Sequence, residues 1–339
     1  MRAPIIPRHA ARMSIVCASI VFASFAFAEQ EVPAVDESAD VEQVLVTGEQ
    51  PGPGLWKVSK GDHVLWILAT NSPVPKRMQW HSSEVERAIG QSQQVLANVQ
   101  VKIDIGFFRG LLLLPSVLGA RKNPDGKKLK DVLPPDVYAR WLGLKRKYIG
   151  DDSGLERFRP IFAAQKLYSK AIDRVGMTWK DPIWPRIEDL AKKEKVPVET
   201  PILNLPTDKA KQAIKEFSKE SLDDAECLSQ TMARLESDLD TLRLRANAWA
   251  VGDIAAMRAM SIHEPGAACL NAVMSAAVLE KYGFNDLPQR FADVWMQSAE
   301  EALSRNTSTF AVLPVAVVLQ SHSWIDRLRA KGYVVEDPS

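Results

Sequence analysis

The chain has few cysteines, few histidines and almost no excess charge of either sign. Its 339 residues carry 43 Lys+Arg against 42 Asp+Glu, a formal net charge of +1. A duplex nucleic-acid binder needs a strong basic excess to displace counterions from phosphates, so this balance argues against that partner class. Three cysteines and five histidines occur, with no CxxC pair and no HExxH helix, so the common zinc frameworks are missing. GxSxG elbows, Walker A loops and GxGxxG turns are missing too, which removes the standard serine-hydrolase and nucleotide-binding signatures. Nothing in the residues calls for a cofactor. The apolar run from Met13 to Phe27, roughly 15 residues, falls short of the ~20 that span a bilayer.

What is present describes an ordinary globular protein, 46% apolar and 25% charged, long enough for one large domain or two small ones. Nine tryptophans against five tyrosines, scattered along the chain, suit core packing better than a stacking platform. Arg2, Arg8 and Arg12 precede the apolar run, and Ala26-Phe27-Ala28 places small residues at −3 and −1 before Glu29. That pattern predicts a cleaved secretory signal over residues 1–28, cut after Ala28, and a bacterial periplasmic location. Cys17 lies inside the run without the small-residue context of a lipoprotein site. Cys227 and Cys269 then remain in an oxidising compartment, where a disulfide between them is expected, with two buried thiols as the alternative.

Residues 29–53 form an acidic lead in which Glu29, Glu31, Asp36, Glu37, Asp40, Glu42 and Glu49 meet no base, so most of it is expected to be flexible. "QVLVTG" within it has the pattern of a short strand. From Leu55 the pattern "LWKVSKGDHVLWILAT" predicts a hairpin turning at Lys60-Gly61-Asp62. A helix over 81–92, capped at Ser82 or Ser83, and a strand "QVLANVQV" follow. The tip at Thr70 to Ser72 is then expected beside the end of the strand carrying Asn98 and Gln100. The middle reads as helices: 104–118 interrupted by Pro115, then 134–148, 157–175 and 185–195, with a short strand "KVPVE" after the last. Further helices are expected over 207–219, 225–250, 254–260 and 271–281. The one over 225–250 presents Leu228, Met232, Leu235, Leu239, Leu242 and Ala246 at helical spacing. The chain closes with a helix over 287–304, a strand "STFAVLPVAVV", a helix over 321–331 and an edge strand "GYVVEDP".

Few residues stand out as chemical. In "WILATNSPVP" an apolar strand gives way to Thr70, Asn71 and Ser72, the kind of rim where α/β proteins place ligands. Turn chemistry accounts for the same residues. His63, His81, His263 and His322 have no partner at metal-ligand spacing, and pairs such as Asp223-Asp224 and Glu300-Glu301 read as solvated helix surface. The apolar stretch within 105–120, followed by Arg121, Lys122, Lys127, Lys128 and Lys130, fits a core helix with a basic loop. It also fits weak peripheral contact with anionic lipid.

Taken together, "GLWKVSKGDHVLWILAT", "SQQVLANVQV", "FRPIFAAQKL", "NAWAVGDI" and "STFAVLPVAVVL…RLRAKGY" resemble the TraB/GumN family across most of residues 55–335. That resemblance implies kinship with the Tiki proteases and with erythromycin-esterase-like and ChaN-like folds. It also implies a divalent-metal site built from two GxxH motifs and an ExD, and hydrolytic chemistry. Carried over by position, the first GxxH falls on Ala69-Thr70-Asn71-Ser72 and the ExD on Asn98-Val99-Gln100. The second GxxH falls on Pro314-Val315-Ala316-Val317, and a family arginine is kept as Arg290, followed by Phe291. Every histidine and carboxylate of the motifs is replaced. Valine offers no donor, and neutral Ser, Asn and Gln lack the charge that offsets ion desolvation and cannot act as general bases.

The sequence therefore predicts an α/β fold: a small mixed sheet formed by N- and C-terminal strands, with a large, mostly helical insertion (about 104–305) packed on it, all within one domain over 54–335. It predicts no catalytic residue and no metal ligand. Thr70, Asn71, Ser72, Asn98, Gln100, Arg290, Pro314 and Val317 are the candidates for lining a binding pocket. Two functions stay open: a protein that binds a small polar ligand or an envelope partner, or a divergent hydrolase whose catalytic groups have moved, using Arg290 with a carboxylate from the helical region.

Overall fold

The computed structural model describes residues 52–103, 115–237, 239–260 and 266–338. The expected signal segment, most of the acidic lead with its "QVLVTG" strand, and His263 lie outside the described residues. So does the larger part of the helix expected over 104–118, of which residues 115–120 are helical.

The hairpin forms as expected. β1 (Leu55–Lys60) and β2 (His63–Thr70) pair antiparallel with Lys60 opposite His63. Gly61 turns the chain at φ +64°, a conformation that costs an L side chain steric energy and glycine none. β9 (Ser308–Pro314) then adds parallel to β2, with Val64 opposite Ser308 and Thr70 opposite Pro314. β4 (Val95–Leu96) and β7 (Val198–Glu199) continue the parallel run, and β10 (Val334–Glu336) closes the other edge against β1. The order is β10-β1-β2-β9-β4-β7, a six-stranded mixed sheet in which residues from both ends of the chain are neighbours. β7, from the middle of the chain, supplies its outer edge.

The apolar pattern explains this order. Parallel strands covered on both faces read as continuous apolar runs, and β2 and β9 do so because they occupy the centre. Leu65, Ile67, Leu68, Phe310, Val312 and Leu313 have no exposed surface. Burial of each side chain of this size contributes about 1.5–3 kcal/mol. Helices Ser83–Gly90, Ile183–Lys193 and Leu287–Arg305 pack apolar stripes into the same core, with Trp56 and Trp295 buried there.

A second core belongs to the helices Pro135–Tyr148, Pro160–Arg174 and Ala225–Ser237, around Trp141, Leu167, Leu228 and Met232. The stripe expected over 225–250 is buried or half-buried in that core from end to end. It is carried by two segments, Ala225–Ser237 and Leu239–Ala250, that flank residue 238. The helix expected over 271–281 is likewise two, Gly266–Met274 and Ala277–Tyr282. Cys227 and Cys269 form a disulfide within this helical part. A third, small cluster holds Ala210, Ala213 and Phe284.

Two strand expectations are corrected. "QVLANVQV" divides into β4 and β5 (Gln100–Lys102), and β5 leaves the main sheet to pair with β8 (Ile202–Asn204). "STFAVLPVAVV" is a strand only to Pro314; Val315–Leu319 is a short helix. Proline has no N–H to continue a ladder, and its fixed φ suits the residue that opens a helix. One further pair, β3 (Val74–Pro75) with β6 (Met177–Thr178), links the tip after β2 to the helical part.

Candidate functional site

β2, β9, β4 and β7 run parallel, so their C-terminal ends share one edge of the sheet, where open α/β sheets place ligands. Three segments leave the sheet there: Asn71–Pro73 after β2, Ala97–Val99 after β4, and the short helix Val315–Leu319 after β9. In register, Thr70 stands opposite Pro314 and Leu96 opposite Ala311. β9 therefore separates the Thr70–Ser72 tip from the segment with Asn98, which corrects the expectation that the two lie side by side.

The first motif segment is held tightly. The Thr70 hydroxyl donates to the carbonyl of Leu313 at 3.3 Å, tying β2 to β9 at their ends. The Ala69 carbonyl accepts from the indole Nε1–H of Trp249, and the Ser72 carbonyl accepts from Nη2 of Arg245 at 3.2 Å. Trp80 meets Trp249 edge to face at 5.5 Å. The Ser72–Pro73 peptide is cis. Between these anchors Asn71 is 1% exposed, and neither its Oδ1 nor its Nδ2 has a hydrogen-bond partner among the described residues. A buried amide without partners costs about 1–3 kcal/mol, so its retention at a strand end marks the position.

The other motif positions are looser. Asn98 is exposed in the link between β4 and β5, and Gln100 is exposed on β5, outside the main sheet. Pro314 ends β9 exposed; Val317 is half-buried in the short helix and packs against the sheet core. Arg290, in the first turn of helix Leu287–Arg305, pairs with Asp286 at 3.8 Å. The edge thus brings Thr70, Asn71, Ser72 and Pro314 together by pairing and register, with Asn98 across β9.

Sequence reasoning missed Trp249 and Arg245. Both lie in or beside "NAWAVGDI", a segment with a clear helical pattern, but that pattern does not say which carbonyl each side chain reaches.

These residues do not fit the divalent cation that the family motifs imply. Ser72, Asn98, Gln100 and Val317 supply a hydroxyl, two amides and an alkyl group, with no carboxylate or imidazole among them. Glu199, the carboxylate on β7, accepts from Gln94 Nε2 at 2.9 Å and lies 3.7 Å from Arg305. His63 is engaged through Nδ1 with the Leu303 carbonyl at 2.6 Å. Among the described residues no group of three or more His, Cys, Asp or Glu side chains is placed to hold a metal ion.

The profile of the TraB/PrgY/gumN family matches residues 54–337. No curated protein and no solved structure matches the chain.

Proposed function

The chain belongs to the TraB/PrgY/gumN family, and we propose that it is an exported member that has lost the family's metal-dependent hydrolase site and works by binding. The binding place is the C-terminal edge of the sheet, around Thr70, Asn71 and Ser72, and the ligand is small and polar. The observation that carries this reading is Asn71: a donor and an acceptor, both buried and, among the described residues, both unpaired, at the end of β2. A dead site left to drift would exchange such a group for apolar filler, because an unpaired buried amide is destabilising. Export is supported by the basic, apolar and small-residue pattern of residues 1–28 and agrees with the Cys227–Cys269 bond.

The test starts with metal analysis of the purified mature protein. Substoichiometric zinc, manganese and cobalt are expected, together with ligand-induced thermal stabilisation by small polar metabolites that Asn71→Leu abolishes. Stoichiometric metal, with hydrolysis that chelation removes, would overturn the proposal in favour of the divergent hydrolase. Stabilisation by an envelope protein alone would replace the small ligand with a partner.

A further inference from the structure

The stretch that allowed two readings in the sequence, apolar residues followed by a run of bases, ends in described structure. Residues 115–120 are helical, and Val117 and Leu118 are 45% and 50% exposed there. A core helix would bury both. Among the described residues they are the one pair of sequence neighbours in which two large apolar side chains are so widely exposed. Arg121, Lys122, Lys127, Lys128 and Lys130 follow, all of them exposed. Only Asp125 and Asp131 oppose them, which leaves a net charge of +3 over residues 115–131. Asp131 is turned back to accept the Lys128 N–H at 2.9 Å. Among the described residues none of the five bases forms an ion pair, whereas Lys145 in the next helix meets Glu156 at 3.1 Å.

The segment is held in place. The Lys122 N–H closes a turn onto the Gly119 carbonyl at 2.9 Å, and Lys122 bridges Phe158. Asn123 Nδ2 donates to the Phe158 carbonyl at 2.8 Å. The Arg159 N–H donates to the Arg121 carbonyl at 3.0 Å and its Nε to the Lys122 carbonyl at 3.1 Å. Lys127 lines the same concavity as Arg159, so the folded-back chain sets it beside Lys122. The apolar pair and these bases are therefore presented together from the start of helix Pro160–Arg174.

Two apolar side chains are too few for a stable protein interface, which buries about 800 Å² on each partner. A bilayer surface needs no matching contour. Apolar side chains enter the headgroup layer, and each base close to anionic lipid strengthens partitioning about fivefold. The charge of the whole chain does not supply that attraction, because without Arg2, Arg8 and Arg12 its net charge is −2. The attraction has to be local.

We propose that Val117 and Leu118, with Arg121, Lys122 and Lys127 beside them, form a docking surface for an anionic phospholipid bilayer, which holds the protein peripherally and reversibly. This surface is independent of the sheet edge and of the fate of the metal centre.

Co-sedimentation of the purified mature protein with vesicles tests it, one set of phosphatidylcholine alone and one of phosphatidylcholine with an equal share of phosphatidylglycerol. Binding is expected to the second set only, and it should weaken as NaCl rises from about 0.1 M to 0.5 M. Lys122→Gln/Lys127→Gln should reduce partitioning about twenty-fivefold, and Val117→Asn/Leu118→Asn about tenfold. Both pairs alter exposed side chains, so each should keep the wild-type thermal midpoint. No sedimentation with the anionic vesicles, or equal sedimentation with both sets, would overturn the proposal. Binding that either pair of substitutions leaves unchanged would overturn it too. A dimer that forms without lipid and is lost in Val117→Asn/Leu118→Asn would replace the bilayer with a second copy of the chain.

Discussion

Trp249 donates its indole N–H to the carbonyl of Ala69, across 180 residues of sequence, and so joins the helical insertion to the end of the central strand. Both residues are almost fully buried. Trp249→Phe keeps an aromatic ring but withdraws the donor from a buried carbonyl and leaves unfilled volume. It is expected to cost about 1–3 kcal/mol in urea unfolding. An unchanged midpoint would mean that the carbonyl finds another donor.

Asn71 predicts the opposite sign. Its amide has no partner among the described residues while 1% exposed, so Asn71→Leu removes an uncompensated desolvation cost and should raise stability by about 1 kcal/mol. Gain of stability with loss of binding is the pattern of a site kept for function. Loss of stability would show that the amide is satisfied in solution.

The Cys227–Cys269 bond closes a long loop, with a sequence separation of 42. Loop-closure entropy assigns about 4 kcal/mol to a ring of this length. Unfolding with and without reductant, and in the Cys227→Ala/Cys269→Ala pair, is expected to differ by that order, the two comparisons agreeing with each other.

Asp224 makes stability depend on pH. Burial pushes its carboxyl up to about 6 from the ordinary 3.8, against the opposing pull of the Ile161 N–H and Arg159. The folded state then holds the proton more tightly than the unfolded state. Its contribution is complete below the unfolded value and is lost as pH rises through about 6. The stability of wild type minus that of Asp224→Asn should fall by about 2–3 kcal/mol between pH 4 and pH 7. The asparagine keeps an acceptor for Ile161 N–H, so a flat difference would mean that the carboxyl titrates normally.

Gly252 follows helix Leu239–Ala250 at φ +72°, and a Cβ there would lie 2.8 Å from the Gly52 carbonyl oxygen. Backbone strain and that contact act together, so Gly252→Ala should lower stability by about 2 kcal/mol or more. A thermal melt of the variant checks it.

Much of the fold could be read from local pattern. The hairpin turning at Gly61, the buried stripe from Leu228 to Ala246 and the helix ending in Arg305 carry their periodicity in adjacent residues. Where the readings failed, the competing signal was local and weak. Pro314 ends a strand that an apolar run continues, and Asn98 sits between two short strands that looked like one. The candidate edge was half legible. Thr70 to Ser72 announced themselves as a polar strand end, whereas Arg245 and Trp249 looked like any other helical residues.

The amino-acid order by itself determined which segments are apolar on which period, the near-zero net charge, and that Ser72, Asn98, Gln100 and Val317 offer neither carboxylate nor imidazole. These are properties of neighbours along the chain. Tertiary structure alone decided that β9 enters between β2 and β4, that the Asn71 amide is buried with no partner among the described residues, and that Arg159 faces Asp224 in the turn before Ala225. Each of those depends on residues far apart in sequence, whose packing no local period encodes.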